Sequence, residues 1–336
     1  MTRFLSQGRY VLGKQLGVGG MGAVYDGADL AMTERVAIKV AHEEHVAPEV
    51  VTSYMAHELR AGRAIRHPNV VAILDGGCEG GSTFLVMERA RGRDLAAICA
   101  EGPLSVRRVA AIVDQILDGL AAIHAAGYAH GDIKTDNVLV DGVDRVTIID
   151  LGLACELDKP ANDNEDERVL SGTPYYLAPE LVLGGAKSIA SDLYAVGVIL
   201  YELLTGAVPF TGGSLLEVMR KHVEDDVVPP SLRAPELSLS PAFDRVVLRS
   251  LAKHPGDRYA TADELRVALR AAARDTRDMP TVSRTSTSGP TSNWNRPDPP
   301  ARPHAVGTNP PPPCDTLRGV AVDARDPLRR ARRPRG

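Results

Sequence analysis

Residues 129–137 read AHGDIKTDN and bring His130, Asp132, Lys134, Asp136 and Asn137 into one short polar stretch. A solvated turn, a metal site and a phosphate-handling loop all fit those letters. Upstream, Leu16, Gly17, Val18, Gly19, Gly20, Met21, Gly22, Ala23 and Val24 place three glycines in a G-x-G-x-x-G spacing. A dinucleotide site would need a helix next and an acidic residue about twenty positions on. Here a strand pattern, AVYDGAD, follows instead. A glycine-tipped hairpin lets backbone N–H groups approach phosphate oxygens without Cβ obstruction. A flexible hairpin with no ligand fits these residues alone equally well.

Lys39 closes the apolar run Val36, Ala37, Ile38, and strand alternation points it either inward or outward. Alone it reads as a surface lysine. Glu58, on the next helix pattern, supplies a carboxylate that would hold such an ammonium ready for anionic oxygen. Asp132 and Asn137 lie on a loop leading into an apolar strand, and Asp150 ends the next strand, VTIID. Oxygen ligands from Asn137 and Asp150 suit a hard, partly hydrated cation such as Mg2+ shared with a nucleotide. Asp132 is then free to orient a hydroxyl, and Lys134 to neutralise charge on a migrating phosphoryl group. Phosphoryl transfer asks mainly for positioning and charge stabilisation, and these are the parts it needs.

The elements that must hold these residues change character along the chain. The first ninety residues are rich in strand patterns, YVLGKQLG, AVYDGAD and ERVAIKVA, then NVVAILDGGCEGGSTFLVMER around a glycine-rich turn. One helix is predicted over 48–65, opened by Pro48. Beyond Gly92, the spacing of Val109, Ile112, Val113, Ile116, Leu117, Leu120 and Ile123 predicts a helix over 105–127, with Ser105 as N-cap and Gly127 as stop. Further helices are predicted at 191–204, 214–223, 241–252 and 261–273. The fold class is α+β: a small β-rich lobe (10–90), then a larger helical lobe (91–275).

Composition marks where folding stops. The chain has 336 residues, 44% apolar, and a net charge of −4. From Thr276 onward there are 11 Arg, no Lys and 5 Asp, a surplus of +6, so residues 1–275 carry −10. That segment, 276–336, also holds 12 of the 24 prolines and no apolar periodicity, so it is expected to be disordered. Its basic end, PLRRARRPRG, suits acidic surfaces or nucleic acid only as a minor contact; a solvated tail is the commoner outcome. Cys78, Cys99, Cys155 and Cys314 form no C-x-x-C pair, which argues against a zinc cage or disulfide framework and for reduced thiols. The start lacks a signal-peptide core, and LYAVGVILYELL (193–204) is too short to span a bilayer. A cytoplasmic protein without a membrane span is expected.

Taken in order, GVGGMGAV, VAIK, Glu58, H-x-D-x-K-x-x-N, Asp150-Leu151-Gly152 and Ala178-Pro179-Glu180 form a set whose spacing chance does not supply. Over roughly residues 10–275 the chain resembles a bacterial eukaryotic-like (Hanks-type) serine/threonine protein kinase. The resemblance implies a bilobal kinase fold, ATP and Mg2+, protein substrates with Ser/Thr acceptors, and autophosphorylation. It places Lys39 on the α- and β-phosphates, paired with Glu58, and Asp132 at the acceptor hydroxyl. Asn137 and Asp150 become Mg2+ ligands, and Thr173 bridges Asp132 and Lys134. Val24, Ala37 and Leu139 enclose adenine behind the gatekeeper Met87. Glu88 and Ala90 offer hinge backbone groups, and Asp94 meets the ribose. Asp192 braces the catalytic loop, and Arg258 pairs with Glu180.

Three departures bear on function. Gly131 stands where such kinases carry an arginine that receives an activation-loop phosphate. His-Gly-Asp also occurs in aminoglycoside-type kinases, but those lack Lys134 and a GTPYYLAPE-like segment. Between Asp150 and Leu170 there is no Ser, Thr or Tyr, and ANDNEDE (161–167) is acidic. Activity independent of phosphorylation in 151–170 is therefore expected, although a merely solvated acidic run fits as well. Gly62 replaces a bulky inter-lobe residue in the helix bearing Glu58, which predicts a helix that swings easily. A catalytically silent scaffold is the third reading beside protein kinase and small-molecule kinase. Finally, Asp94 and Asp136 would favour a basic residue upstream of the acceptor, and TVSRTSTS (281–288) is an expected autophosphorylation cluster.

Overall fold

The strand-rich first ninety residues form a six-stranded antiparallel sheet in the computed structural model, which describes residues 3–19, 22–41, 48–79, 82–157 and 174–275. Its strands are β1 (Arg3–Leu5), β2 (Tyr10–Gly19), β3 (Gly22–Asp29), β4 (Glu34–Ala41), β5 (Ile73–Glu79) and β6 (Ser82–Glu88). They are ordered β1-β2-β3-β4-β6-β5. Central β4 is buried on both faces. Val36, Ile38 and Val40 pack with Tyr10 and Phe84 on one side. Ala37 joins Met55, Ile73, Leu85 and Met87 on the other. Period-2 alternation puts Lys39 on the Ala37 side, facing α1 (Pro48–Ala64).

Gly62 has a different job from the one its helix propensity suggests. A Cβ there would lie 2.1 Å from Cγ1 of Ile73. The glycine admits the β5 isoleucine against the α1 backbone, so it marks close packing rather than a loose helix.

The helical lobe opens with β7 (Arg93–Asp94), α2 (Leu95–Cys99) and α3 (Val106–Ala125). All seven positions predicted to line the α3 core are buried. Each such aliphatic side chain contributes roughly 1.5–3 kcal/mol. Ser105 accepts from the Arg108 amide as N-cap, and Gly127, at φ +85°, follows the helix end. Then come β8 (Tyr128–Ala129), β9 (Val138–Val140), β10 (Val146–Ile148) and β11 (Cys155–Glu156). The remaining helices are α4 (Pro179–Val182), α5 (Ile189–Thr205), α6 (Leu215–Glu224), α7 (Pro230–Arg233), α8 (Pro241–Ser250) and α9 (Ala262–Asp275). Short α2, α4 and α7 lacked a readable periodicity; four or five residues hold barely one turn.

The lobes are stitched beside β10. Ile148 N donates to the Asn69 carbonyl (2.7 Å), Val71 N to the Ile148 carbonyl (2.9 Å), and the Asn69 amide to the Val146 carbonyl (2.7 Å). Cys99 and Cys155 form no disulfide, as expected. Cys78 is disulfide-bonded, against the expectation of reduced thiols. Among the described residues no helix is long and apolar enough to cross a membrane.

Candidate active site

Between the lobes lies a buried ammonium flanked by two carboxylates. Lys39 Nζ is 2.9 Å from Glu58 Oε2 and 2.9 Å from Asp150 Oδ1, joining β4, α1 and the end of the β10 segment. Lys39 is 8% and Glu58 2% exposed. The Asp150 side chain is 44% exposed and so faces solvent on the open side of the cluster. Burial disfavours the Lys39 ammonium, but Glu58 and Asp150 outweigh it and hold its pKa above the ordinary value. Burial likewise works against the Asp150 carboxylate, yet Lys39 and the Gly152 amide hold its pKa below the ordinary value. Asp150 sits at φ +66°, left-handed for a non-glycine residue, and its carboxylate accepts from Gly152 N at 3.2 Å. The sequence reading paired Lys39 with Glu58; the direct bond to Asp150 was invisible because 111 residues separate the two.

Over this cluster runs the β2–β3 hairpin. Gly19 pairs with Gly22 and Val24 with Lys39. A Cβ on Gly22 would fall 2.3 Å from the Val40 carbonyl oxygen, so only glycine fits, whereas Gly17 has open space around it. Leu16 and Val18 are exposed beside it and Ala23 is buried. Gly20 and Met21, at the hairpin tip, lie outside the described residues.

The 130–137 loop is tied together by its own side chains. Lys134 Nζ donates to Asp132 Oδ2 at 2.6 Å. The Asn137 amide donates to the Asp132 carbonyl (2.9 Å) and to Oδ2 (3.1 Å). From below, Asp192 on α5 accepts from the amides of His130 (2.8 Å) and Gly131 (2.9 Å) and from His124 (2.9 Å). Its carboxylate is fully buried. Burial opposes the charge, but His124 and these amides keep its pKa below normal. Asp192 as loop brace and Arg258 as partner of Glu180 (2.7 Å) thus have the geometry the resemblance implied. Thr173 and Ser171 lie outside the described residues, as do the acidic run 161–167 and the tail.

Around the cleft, Ala37 and Met87 are buried and paired across β4–β6, with Leu139 half-buried on β9. The hinge groups already engage one another. Ala90 N donates to the Glu88 carbonyl (2.9 Å), and Arg89 donates both to the Ala90 carbonyl (2.5 Å) and to Asp26 on β3 (3.2 Å). Asp94 caps α2 by accepting from Ala97 N at 2.6 Å, which engages Oδ1. Neither Arg89 nor this cap was anticipated, although Asp94 one residue before a helix is a readable N-cap signal.

The protein kinase domain family matches residues 10–267. The chain is 36% identical over 290 residues to the serine/threonine-protein kinase pkn3 of Myxococcus xanthus, covering 83% of this chain and 52% of that protein. It is 35% identical over 266 residues to the serine/threonine-protein kinase PknB of Mycobacterium tuberculosis, covering 78% and 42%. PknL of the same species is 36% identical over 272 residues, covering 81% and 67%. The chain therefore spans about half the length of the first two.

Proposed function

We propose, for a chain that belongs to the protein kinase family, that it transfers the γ-phosphoryl group of ATP to serine and threonine hydroxyls of proteins, itself included. The observation that carries this reading is the Lys39–Glu58–Asp150 cluster, buried below a hairpin that at Gly22 admits only glycine. An ammonium kept charged and shared between two carboxylates is a preorganised site for phosphate oxygens and a cation.

The residues fit these ligands. Backbone amides of 17–22 would meet the phosphates, with Lys39 donating to two of them. Val24, Ala37 and Leu139 would enclose adenine, with Glu88 and Ala90 at its polar edge. Because Asp94 Oδ1 caps α2, Oδ2 is the oxygen left for the ribose. Asn137 and Asp150 would hold Mg2+, which when bound offsets negative charge on the phosphate oxygens. Asp132 orients the acceptor hydroxyl and takes up its proton. Lys134, 2.6 Å from Asp132, neutralises charge at the transferring group and fixes the carboxylate. Thr173 would complete that bridge. Cytoplasmic placement and phosphorylation of 281–288 belong to the same proposal.

Incubation with labelled ATP and Mg2+, beside Asp132→Asn, tests it. Label on protein in the wild type, reduced about 10²–10⁴-fold in the variant, is expected for loss of a general base. Equal labelling in both would overturn the assignment.

A further inference from the structure

Gly131 leaves a gap that another residue fills. At φ +74° its backbone is left-handed, and a Cβ there would lie 2.6 Å from the Leu153 carbonyl oxygen and 2.6 Å from Cδ of Lys187. The Lys187 stem thus crosses the face of residue 131 where a side chain would begin. Its ammonium donates to that same Leu153 carbonyl at 2.9 Å. Leu153 lies three residues beyond Asp150, in a turn closed by Ala154 N donating to the Leu151 carbonyl (3.1 Å). Lys187 also meets this segment through its backbone, whose carbonyl faces Cys155 Sγ at 3.9 Å. Cys155, in turn, pairs with Ala129 across β11–β8.

Lys187 has a fixed base. The next residue, Ser188, caps α5 in a reciprocal box with Ser191: Ser188 N donates to Ser191 Oγ (2.9 Å) and Ser191 N to Ser188 Oγ (3.2 Å). One turn on, Asp192 takes the amides of His130 and Gly131. The start of a single buried helix therefore grips both halves of the site. Asp192 holds the loop bearing Asp132, and Lys187 holds the segment that follows Asp150.

We infer that Lys187 is a positioning residue: from just before the α5 N-cap it supplies the cation that residue 131 lacks, bracing residues 151–155 by a permanent charge-assisted bond. Such a brace needs no phosphate to complete it, because its acceptor is a backbone carbonyl. This inference rests on the kinase reading, since the acceptor segment carries Asp150.

The test uses the full chain with Lys187→Met, which keeps the stem and removes the donor, and Lys187→Arg, which keeps the charge. Two readouts are taken: steady-state phosphorylation of a serine-containing protein acceptor, and hydrogen exchange of the amides in 151–157. In Lys187→Met, kcat should fall about tenfold, the scale of one lost charge-assisted bond. The KM for ATP should stay within about twofold, and exchange should quicken in 151–157. Lys187→Arg should recover most of both. Unchanged kcat in Lys187→Met, or an arginine variant as impaired as the methionine one, overturns the inference. If the wild type itself transfers no phosphate, the underlying reading fails. In that case the exchange arm still decides the brace: quickened exchange in Lys187→Met supports it, and unchanged exchange overturns it.

Discussion

Among the described residues, two buried cation–carboxylate centres, Arg258–Glu180 and Lys39–Glu58–Asp150, are built to opposite ends. Arg258, with a side chain 0% exposed, spends all five N–H donors. It makes a two-pronged pair with Glu180 (2.7 and 2.7 Å) and bonds to the carbonyls of Ala190, Ala252 and Lys253 (2.9, 2.8 and 3.1 Å). One positive charge meets one negative, and nothing is left over. Lys39 meets two carboxylates with one ammonium, burial pushing the Glu58 pKa above its ordinary value, and among the described residues one of its three donors is unspent. A closed, neutral centre can only hold structure. An open one, with an unspent donor and an exposed carboxylate, has bonding capacity left for a cation and for phosphate.

The contrast breaks most sharply if the two centres are cut in parallel. Asp150→Asn should lower phosphoryl transfer about 10³-fold, as for a lost electrostatic stabiliser, and move the melting temperature little, because Lys39 keeps Glu58. A coequal loss of thermal stability would put the two centres in one class. Arg258→Met should do the reverse. It strands Glu180 and three carbonyls at a cost of about 3–5 kcal/mol, read as a lower denaturant midpoint, while turnover per folded molecule is retained.

A third mode, a buried group kept neutral, sharpens the comparison. His222 is 0% exposed, bonds Tyr194 Oη at 2.8 Å and packs on Phe210, while Lys253 donates to its carbonyl. Burial, with the Lys253 charge, lowers its pKa to about 4. The unfolded chain takes up that proton first, so stability is full above pH 6.5 and is lost as pH falls toward 4. At 1.36 kcal/mol per pH unit the loss is about 3 kcal/mol. Urea titrations should show His222→Gln losing about 3 kcal/mol less than the wild type between pH 6.5 and 4; equal losses would refute it. The smallest effect is expected outside both centres. Ser171→Ala should leave turnover within about twofold, since the segment base is braced without phosphate. Near-total loss would mean that Ser171 is the activating site.

Much of the candidate site was legible because it is written locally. Gly17, Gly19 and Gly22, then Lys39, Glu58, Asp132, Asn137 and Asp150 appear in an order and spacing that few folds share, and periodicity marked α3 and α5 within a few residues. Less was readable where a residue's role depends on what faces it. Alternation alone left Lys39 pointing either way; it faces inward because β4 is covered on both sides.

The sequence by itself determined which groups are present and which can share a strand, a loop or a helix face, since those follow from backbone period and short-range spacing. Only the tertiary structure decided who fills the space beyond each glycine. Gly62 read as a weak point and is the seat of Ile73; Gly131 read as a missing arginine and is crossed by Lys187. Neither outcome is encoded near the glycine. Close packing lets a residue 11 or 56 positions away take the vacated volume, and the fold alone brings that residue there.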